Sequence, residues 1–523
     1  MMKGSLLKKE QERVTWDDFG KEMRRICSIA APMVVVVCSH FLLEVVSTMI
    51  VGHLGELYLS SAALAISLSG ATGFSLIIIS VARSRLGKCL IPNEEIEIRY
   101  DSTLCWATQL PLEEMGMASG LETICGQAYG AQQYQRIGIH TYTAIFSLIL
   151  VCIPLSLLWI NMEPILVFIG QDPLISHEAG KFIVWMVPAL FAYAILQSLV
   201  RCFQIQSLLL PMLASSCVTL IIHVPLCWAL VFKTRLSNVG GALAVSISMW
   251  SNVIFLGLYM RYSSACAETR APISLELFKG MWQFFCFAIP SAVMACLEWW
   301  SYELLVLLSG LLANPQLETS VLSVCLDTIS TLYMIPFGIG AAASTRVSNE
   351  LGAGNSYAAR VAVLAAMSLA VMETTVVSTT LFACRNVYGY VFSNEKEIVD
   401  YVTVMAPLVC ISVIVDSIEG VLTGIATGSG WQHLEVFVNL GAFYLCGIPM
   451  AVLLGFEGRL GGKGLWIGIQ CGSVVQTIIL SIITGCINWE KQAIKAKTSI
   501  FAILALCCLE CKMSFNLSYS KLC

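Results

Sequence analysis

Twelve stretches of this chain are apolar for about twenty residues or more at a time, the length needed to cross a hydrocarbon layer about 30 Å thick. They cover residues 27–51, 57–80, 139–161, 180–205, 208–232, 241–262, 283–312, 320–343, 360–384, 398–427, 433–455 and 464–488. Lipid offers no partner to an open backbone group, so only helices and closed barrels can span it. Barrel strands would alternate in polarity over about ten residues. These stretches are too long and too uniformly apolar for that. The chain is therefore expected to be an all-α membrane protein with twelve transmembrane helices. Composition agrees: 57% of residues are hydrophobic and 12% charged, against about 25% charged in soluble chains.

The few charges still carry information. A formal net charge of −4 gives no footing for nucleic-acid binding. The charged start (Lys8, Lys9, Glu10, Glu12, Arg13) does not resemble a secretory signal. Lys and Arg gather before the first apolar stretch (Lys3, Lys8, Lys9, Arg13, Lys21, Arg24, Arg25), after the sixth (Arg261, Arg270, Lys279) and after the twelfth (Lys491, Lys495, Lys497). The positive-inside rule then places both termini in the cytoplasm. The 22 cysteines are scattered through the apolar stretches and read as small buried residues rather than a metal ladder. The charge-poor stretch Ile500–Leu509 is too short to span, and Cys507, Cys508 and Cys511 beside or within it are candidate palmitoylation sites. Six histidines lie far apart and no P-loop or GxSxG motif occurs, so no enzyme and no resident cofactor are expected.

The two halves repeat. Pro225 matches Pro449, and Gly130–Arg136 matches Gly354–Arg360, both at an offset of 224. Pro188 matches Pro407 at an offset of 219, which lays Gln197-Ser198 on Asp416-Ser417. Pro32 matches Pro290 at an offset of 258, and this places His40 opposite Glu298. Six helices per half give a parallel repeat of the kind transporters use. The expected organisation is a cytoplasmic segment 1–26, a six-helix lobe 27–262, a loop 263–282, a second six-helix lobe 283–488 and a tail 489–523, with the lobes pseudo-symmetric. The drop in offset exposes about 34 extra residues in the first half. Residues 82–115, with ten charges from Arg83 to Glu114, are too polar for lipid and read as a loop interrupting or following the second helix.

Several strings resemble plant members of the multidrug and toxic compound extrusion family. They are Ile50-Val51-Gly52-His53-Leu54-Gly55-Glu56, Gly116-Met117-Ala118-Ser119-Gly120-Leu121-Glu122-Thr123, Ser344-Thr345-Arg346-Val347-Ser348-Asn349-Glu350-Leu351-Gly352 and Gly462-Lys463-Gly464-Leu465-Trp466. The resemblance covers roughly residues 20–495 apart from 82–115. It implies a 6+6 fold around a central cavity, antiport of organic solutes against protons, and cation coupling at the positions Glu298 and Asp416. The chain departs from the family pattern at His40 and Glu44, where glutamines are common, at Asp327 (asparagine) and at Glu419 (glutamine). Residues 82–115 and the tail from Ser499 also depart, as a retained intron or alternative isoform would.

A carboxylate at membrane depth is costly enough to mark function. Glu298, Asp416 and Asp327 are therefore the expected proton-coupling acids. Asp416, Glu419 and Thr423 share one helical face by their spacing of three and seven. The alternative for each acid is a structural role, bonded to a neighbouring helix. His40 and Glu44, one turn apart, could titrate together, or His40 could simply be satisfied by polar neighbours. Trp299, Trp300, Tyr333 and Phe337, with His40, Glu44 and Glu419, are the expected cavity lining, since aromatic faces suit flat or cationic solutes. One charge moving through 100 mV releases about 2.3 kcal/mol and a tenfold gradient costs about 1.4 kcal/mol. One proton could then support somewhat more than a tenfold gradient of a neutral solute. The expected partners are protons, small organic solutes and the bilayer of the plasma membrane or vacuole, with the chain a monomer. The alternatives are an uncoupled channel, a non-transporting membrane protein, or an inactive isoform disabled by the insertion.

Overall fold

The computed structural model describes residues 14–70, 112–272, 274–392 and 395–498. The described chain is almost wholly helical. The first lobe contains α1 (Trp16–Gly52), α2 (Glu56–Gly70), α3 (Leu112–Gly130), α4 (Tyr134–Ile160), α5 (Pro173–Ile205), α6 (Leu209–Phe232) and α7 (Asn238–Tyr262). The second contains α8 (Met281–Ser309), α9 (Pro315–Ala353), α10 (Ser356–Ala383), α11 (Lys396–Ser429), α12 (Gln432–Glu457) and α13 (Gly462–Cys486). Eleven of these are long and apolar enough to span a membrane. Leu157, Ile221, Val376 and Leu445 lie exposed on the outer surface, as side chains facing lipid should. The candidate palmitoylation cysteines and most of the polar insertion lie outside the described residues.

The second span is where expectation and structure differ. A helix was expected over 57–80 and a loop over 82–115. Instead α3 begins at Leu112 and carries the Gly116–Gly130 string, which the apolar windows missed. Its small and polar residues (Ser119, Glu122, Thr123, Gln127) depress hydropathy, although Ala118, Leu121, Cys125 and Ala128 are buried. Acidic residues are also favoured in the first turn of a helix, so Glu113 and Glu114 did not require a loop. Both α2 and α3 pack against α5. Joining Ile79 to Gly116, as the family resemblance suggests, would give a second span as long as its 39-residue counterpart α9. Helices α1, α5, α9 and α11 outrun their apolar windows. Thus α1 starts at Trp16, capped by Thr15, whose side chain accepts from Asp18 N. Similarly, Asp172 caps α5 by accepting from Leu174 N and Ile175 N at 2.8 and 3.2 Å, with Pro173 at the first helical position, where a missing N–H costs nothing.

The repeat is visible in the backbone. Ser237 and Gly461, at the offset of 224, precede the sixth and twelfth spans with φ of 48° and 59°. Ser207 and Gly430 close the fourth and tenth spans with φ of 57° and 81°. The left-handed region costs a non-glycine residue strain, so its use by serine in one lobe and glycine in the other points to a turn required by the architecture.

The lobes are tied together at the face where α1 begins and α3, α5, α9 and α11 end. Arg346 of α9 bonds Glu22 of α1 at 2.5 and 3.2 Å and Glu350 at 2.5 Å. Tyr357 Oη donates to Asp18 at 3.1 Å. Asn349 Nδ2 donates to the Ile205 carbonyl at 3.2 Å, and Thr123 Oγ1 donates to the Thr427 carbonyl at 2.5 Å. Arg346 therefore joins helices of the two lobes. Deeper in, Arg201 of α5 pairs with Glu122 of α3 at 2.6 Å, both almost fully buried. Arg201 also bonds Gln204 at 2.9 Å, and Gln204 donates across to the Ala341 carbonyl and Thr345 Oγ1, each at 3.0 Å.

Within the second lobe, α9 and α11 touch backbone to backbone. A Cβ on Gly340 would lie 2.5 Å from the Gly420 carbonyl oxygen, and one on Gly428 would lie 2.6 Å from that of Ser344. A Cβ on Gly424 would collide with the Gly340 backbone itself. Small residues every fourth position let membrane helices approach this closely. Gly424→Leu is expected to force the pair apart, an overpacking cost of about 3 kcal/mol or more, and to lower the midpoint of thermal unfolding in detergent. Gly257→Leu should leave that midpoint unchanged, because a Cβ there meets nothing within 4 Å.

Candidate functional site: a buried cluster of carboxyls in the second lobe

The glycine seam fixes how α11 is turned. With Gly420, Gly424 and Gly428 against α9, the adjoining Asp416, Glu419 and Thr423 are held inside the second lobe. Asp416 and Glu419 are buried at 7% and 1% exposure. Thr423 Oγ1 lies 2.5 Å from Glu419 Oε1 and is also hydrogen-bonded to Glu435 of α12. Glu435 is 1% exposed. Gln476 of α13, fully buried, donates from Nε2 to Glu419 Oε1 at 3.2 Å and to Asn439 Oδ1 at 2.9 Å. Asn439 in turn donates to the Met294 carbonyl of α8 at 3.0 Å.

One turn beyond Met294, Glu298 faces the same group. Its electrostatic neighbours are Glu419, Asp416 and Glu435. Four carboxyls from three helices thus share one site. Tyr333 of α9 has its hydroxyl beside Glu419 and its ring against Gly420. Phe337 stands one turn along, with ring centroids 6.5 Å apart, and the Arg201 guanidinium lies over the Phe337 ring at 5.8 Å. Tyr302 Oη is 3.2 Å from Ser473 Oγ.

Of the expected residues, Glu298, Asp416, Glu419 and Tyr333 are brought together. Trp299 and Trp300 follow Glu298 on α8 and are partly buried. Asp327 is buried on α9, but it is not among the neighbours recorded for Glu298. His40 and Glu44 belong to a separate polar ladder in the first lobe. His40 Nε2 lies 3.1 Å from Asn252 Nδ2 and 3.5 Å from Ser216 Oγ. Further along that ladder, His223 bonds Ser47 Oγ at 2.9 Å and Ser248 Oγ at 2.8 Å. His40 is thus a histidine surrounded by polar neighbours, and Glu44 Oε2 has no hydrogen-bond partner among the described residues.

Sequence reasoning missed Glu435, Gln476 and His223. Glu435 stands at the start of the eleventh apolar stretch, where a charge reads as a boundary. Gln476 is neutral and sits in an apolar run. The missed signal was a polar side chain recurring on the face of α12 that carries Asn439, four residues on.

Comparison with known proteins places this architecture. A family model for MatE matches residues 112–229 and 290–453. Over 491 residues the chain is 55% identical to Protein DETOXIFICATION 12 of Arabidopsis thaliana, covering 93% of this chain and 94% of that protein. It is 54% identical to Protein DETOXIFICATION 13 of the same organism, again over 93% of this chain and 94% of the relative. The crystal structure of the eukaryotic MATE transporter AtDTX14 superposes with a TM-score of 0.82 at 52% identity, covering 92% of this chain and 100% of that one. A crystal structure of MATE in the bent conformation, only 14% identical, shares the fold with a TM-score of 0.73 over 94% of this chain. The fold and its paired lobes are those of a multi-pass membrane transporter. This chain belongs to the MatE family.

Proposed function

We propose that the protein exports organic solutes by proton antiport, alternating access between its two lobes, with Glu298 and Asp416 as the coupling acids. The observation that carries this reading is the convergence of partly buried Glu298 with buried Asp416, Glu419 and Glu435 in one site. Carboxyls crowded together out of water cannot all be ionised, so the site binds and releases protons as its surroundings change. Asp327 is the third proposed coupling acid, from its burial. Tyr333 and Phe337 with Trp299 and Trp300 supply aromatic faces for a flat or cationic solute, and His40 and Glu44 form the facing polar wall in the first lobe. The proton is the coupling ion. The names of the relatives point to detoxification, which suits small aromatic or cationic metabolites and xenobiotics as cargo. The protein acts as a monomer in the plasma membrane or vacuolar membrane with both termini in the cytoplasm. The inter-lobe bonds at the α1 face then close the cytoplasmic side.

Uptake of norfloxacin into acid-loaded vesicles tests this. The gradient should drive accumulation, and a protonophore should abolish it. Currents far above carrier turnover would favour a channel instead. A chain lacking residues 80–115 belongs beside the full one: transport by the shortened chain alone would make the insertion an inactivating feature and leave the reading of the site intact.

A further inference from the structure

The hydrogen-bond count around Thr423 does not close unless a second proton is present. Thr423 has one hydroxyl hydrogen and touches two carboxyl oxygens, Glu419 Oε1 and Glu435 Oε1. It can donate to only one of them. The other contact would set lone pairs against lone pairs unless that carboxyl carries a hydrogen. Gln476 settles which one. Its Nε2 directs one hydrogen at Glu419 Oε1 and the other at Asn439 Oδ1. Glu419 Oε1 is therefore the better-supplied acceptor, and Glu435 is the donor.

We propose that Glu435, Thr423 and Glu419 form a second proton-holding unit, with the proton resting on Glu435 and passing to Glu419 through the Thr423 hydroxyl. In that transfer Glu435 gives its proton to Thr423 Oγ1 while the threonine's own hydrogen moves to Glu419 Oε1. One proton changes carboxyl, and the hydroxyl is regenerated. The charged and titratable groups facing the unit are Glu298 and Tyr302 from α8, Asp416 from α11 and Tyr333 from α9. All are acids, so none competes as a base stronger than a carboxylate. This inference rests on the antiport reading above and extends it from one proton per cycle to two.

The test has two arms on the full chain. In infrared spectra of purified protein, Glu435→Gln should remove one neutral-carboxyl C=O band. Thr423→Val should shift or remove the same band, because its hydrogen-bond acceptor is gone, and Glu298→Gln should leave it in place. In vesicles clamped at zero potential, a tenfold proton gradient should concentrate a quaternary ammonium cation about a hundredfold in the wild type and about tenfold in Glu435→Gln, since each coupled proton multiplies the ratio by the gradient. Unchanged bands and an unchanged ratio in both variants would overturn the second proton and leave antiport standing. A wild type that shows no gradient-driven accumulation would overturn antiport itself. A band lost in both variants would then still establish the proton on Glu435. Thr423→Val leaves both carboxyls in place and decides the matter if Glu435→Gln fails to fold.

Discussion

Glu298→Gln and Asp416→Asn should each produce a protein that inserts and unfolds like the wild type but no longer concentrates its solute. The accumulation ratio should fall to equilibrium. The substitutions keep the shape of each side chain and remove its ability to bind and release a proton. They also relieve crowding, since Glu298, Asp416, Glu419 and Glu435 face one another, so thermal stability should hold or rise. A merely structural acid would behave in the opposite way: stability would fall and coupled transport would survive in the fraction that folds.

The second large effect lies away from the acids. Glu122→Ala leaves the Arg201 guanidinium buried at 3% exposure without its carboxylate. Stranding one member of a buried pair costs about 3–5 kcal/mol, and here the loss reaches further. Arg201 positions Gln204, and Gln204 holds Ala341 and Thr345 of the other lobe. The variant should lose most of its folded yield, read as a drop in monodisperse protein and in the thermal midpoint. The double change Glu122→Leu with Arg201→Met should be milder than Glu122→Ala, because it removes both charges together. Equal losses in the single and double variants would show that packing, not charge, sets the cost.

The sequence carried the spans well, because length and polarity are local properties. The repeat also survived reading by eye. Proline and glycine positions matched at constant offset, and the backbone places its left-handed turns at Ser237 and Gly461 on that same offset. The second span was harder. Its latter half is made of small and polar residues whose burial depends on partners in α5, α8 and α9, and no hydropathy window senses a partner. Half of the acid site was legible for the same local reason: Asp416, Glu419 and Thr423 lie on one face by spacing alone. Glu435 and Gln476 were not, because only the packing of α12 and α13 against α11 brings them to that face. The ties between lobes, such as Glu22 with Arg346, join residues 137 to 339 positions apart and leave no local trace.

The most direct test of the account is to watch the proton itself. Acid-loaded vesicles containing the protein, clamped at zero potential, are given an external quaternary ammonium cation, which has no proton of its own to carry. The lumenal pH should rise as the cation enters, and neither event should occur with Glu298→Gln. Entry of the cation at an unchanged lumenal pH would contradict proton antiport.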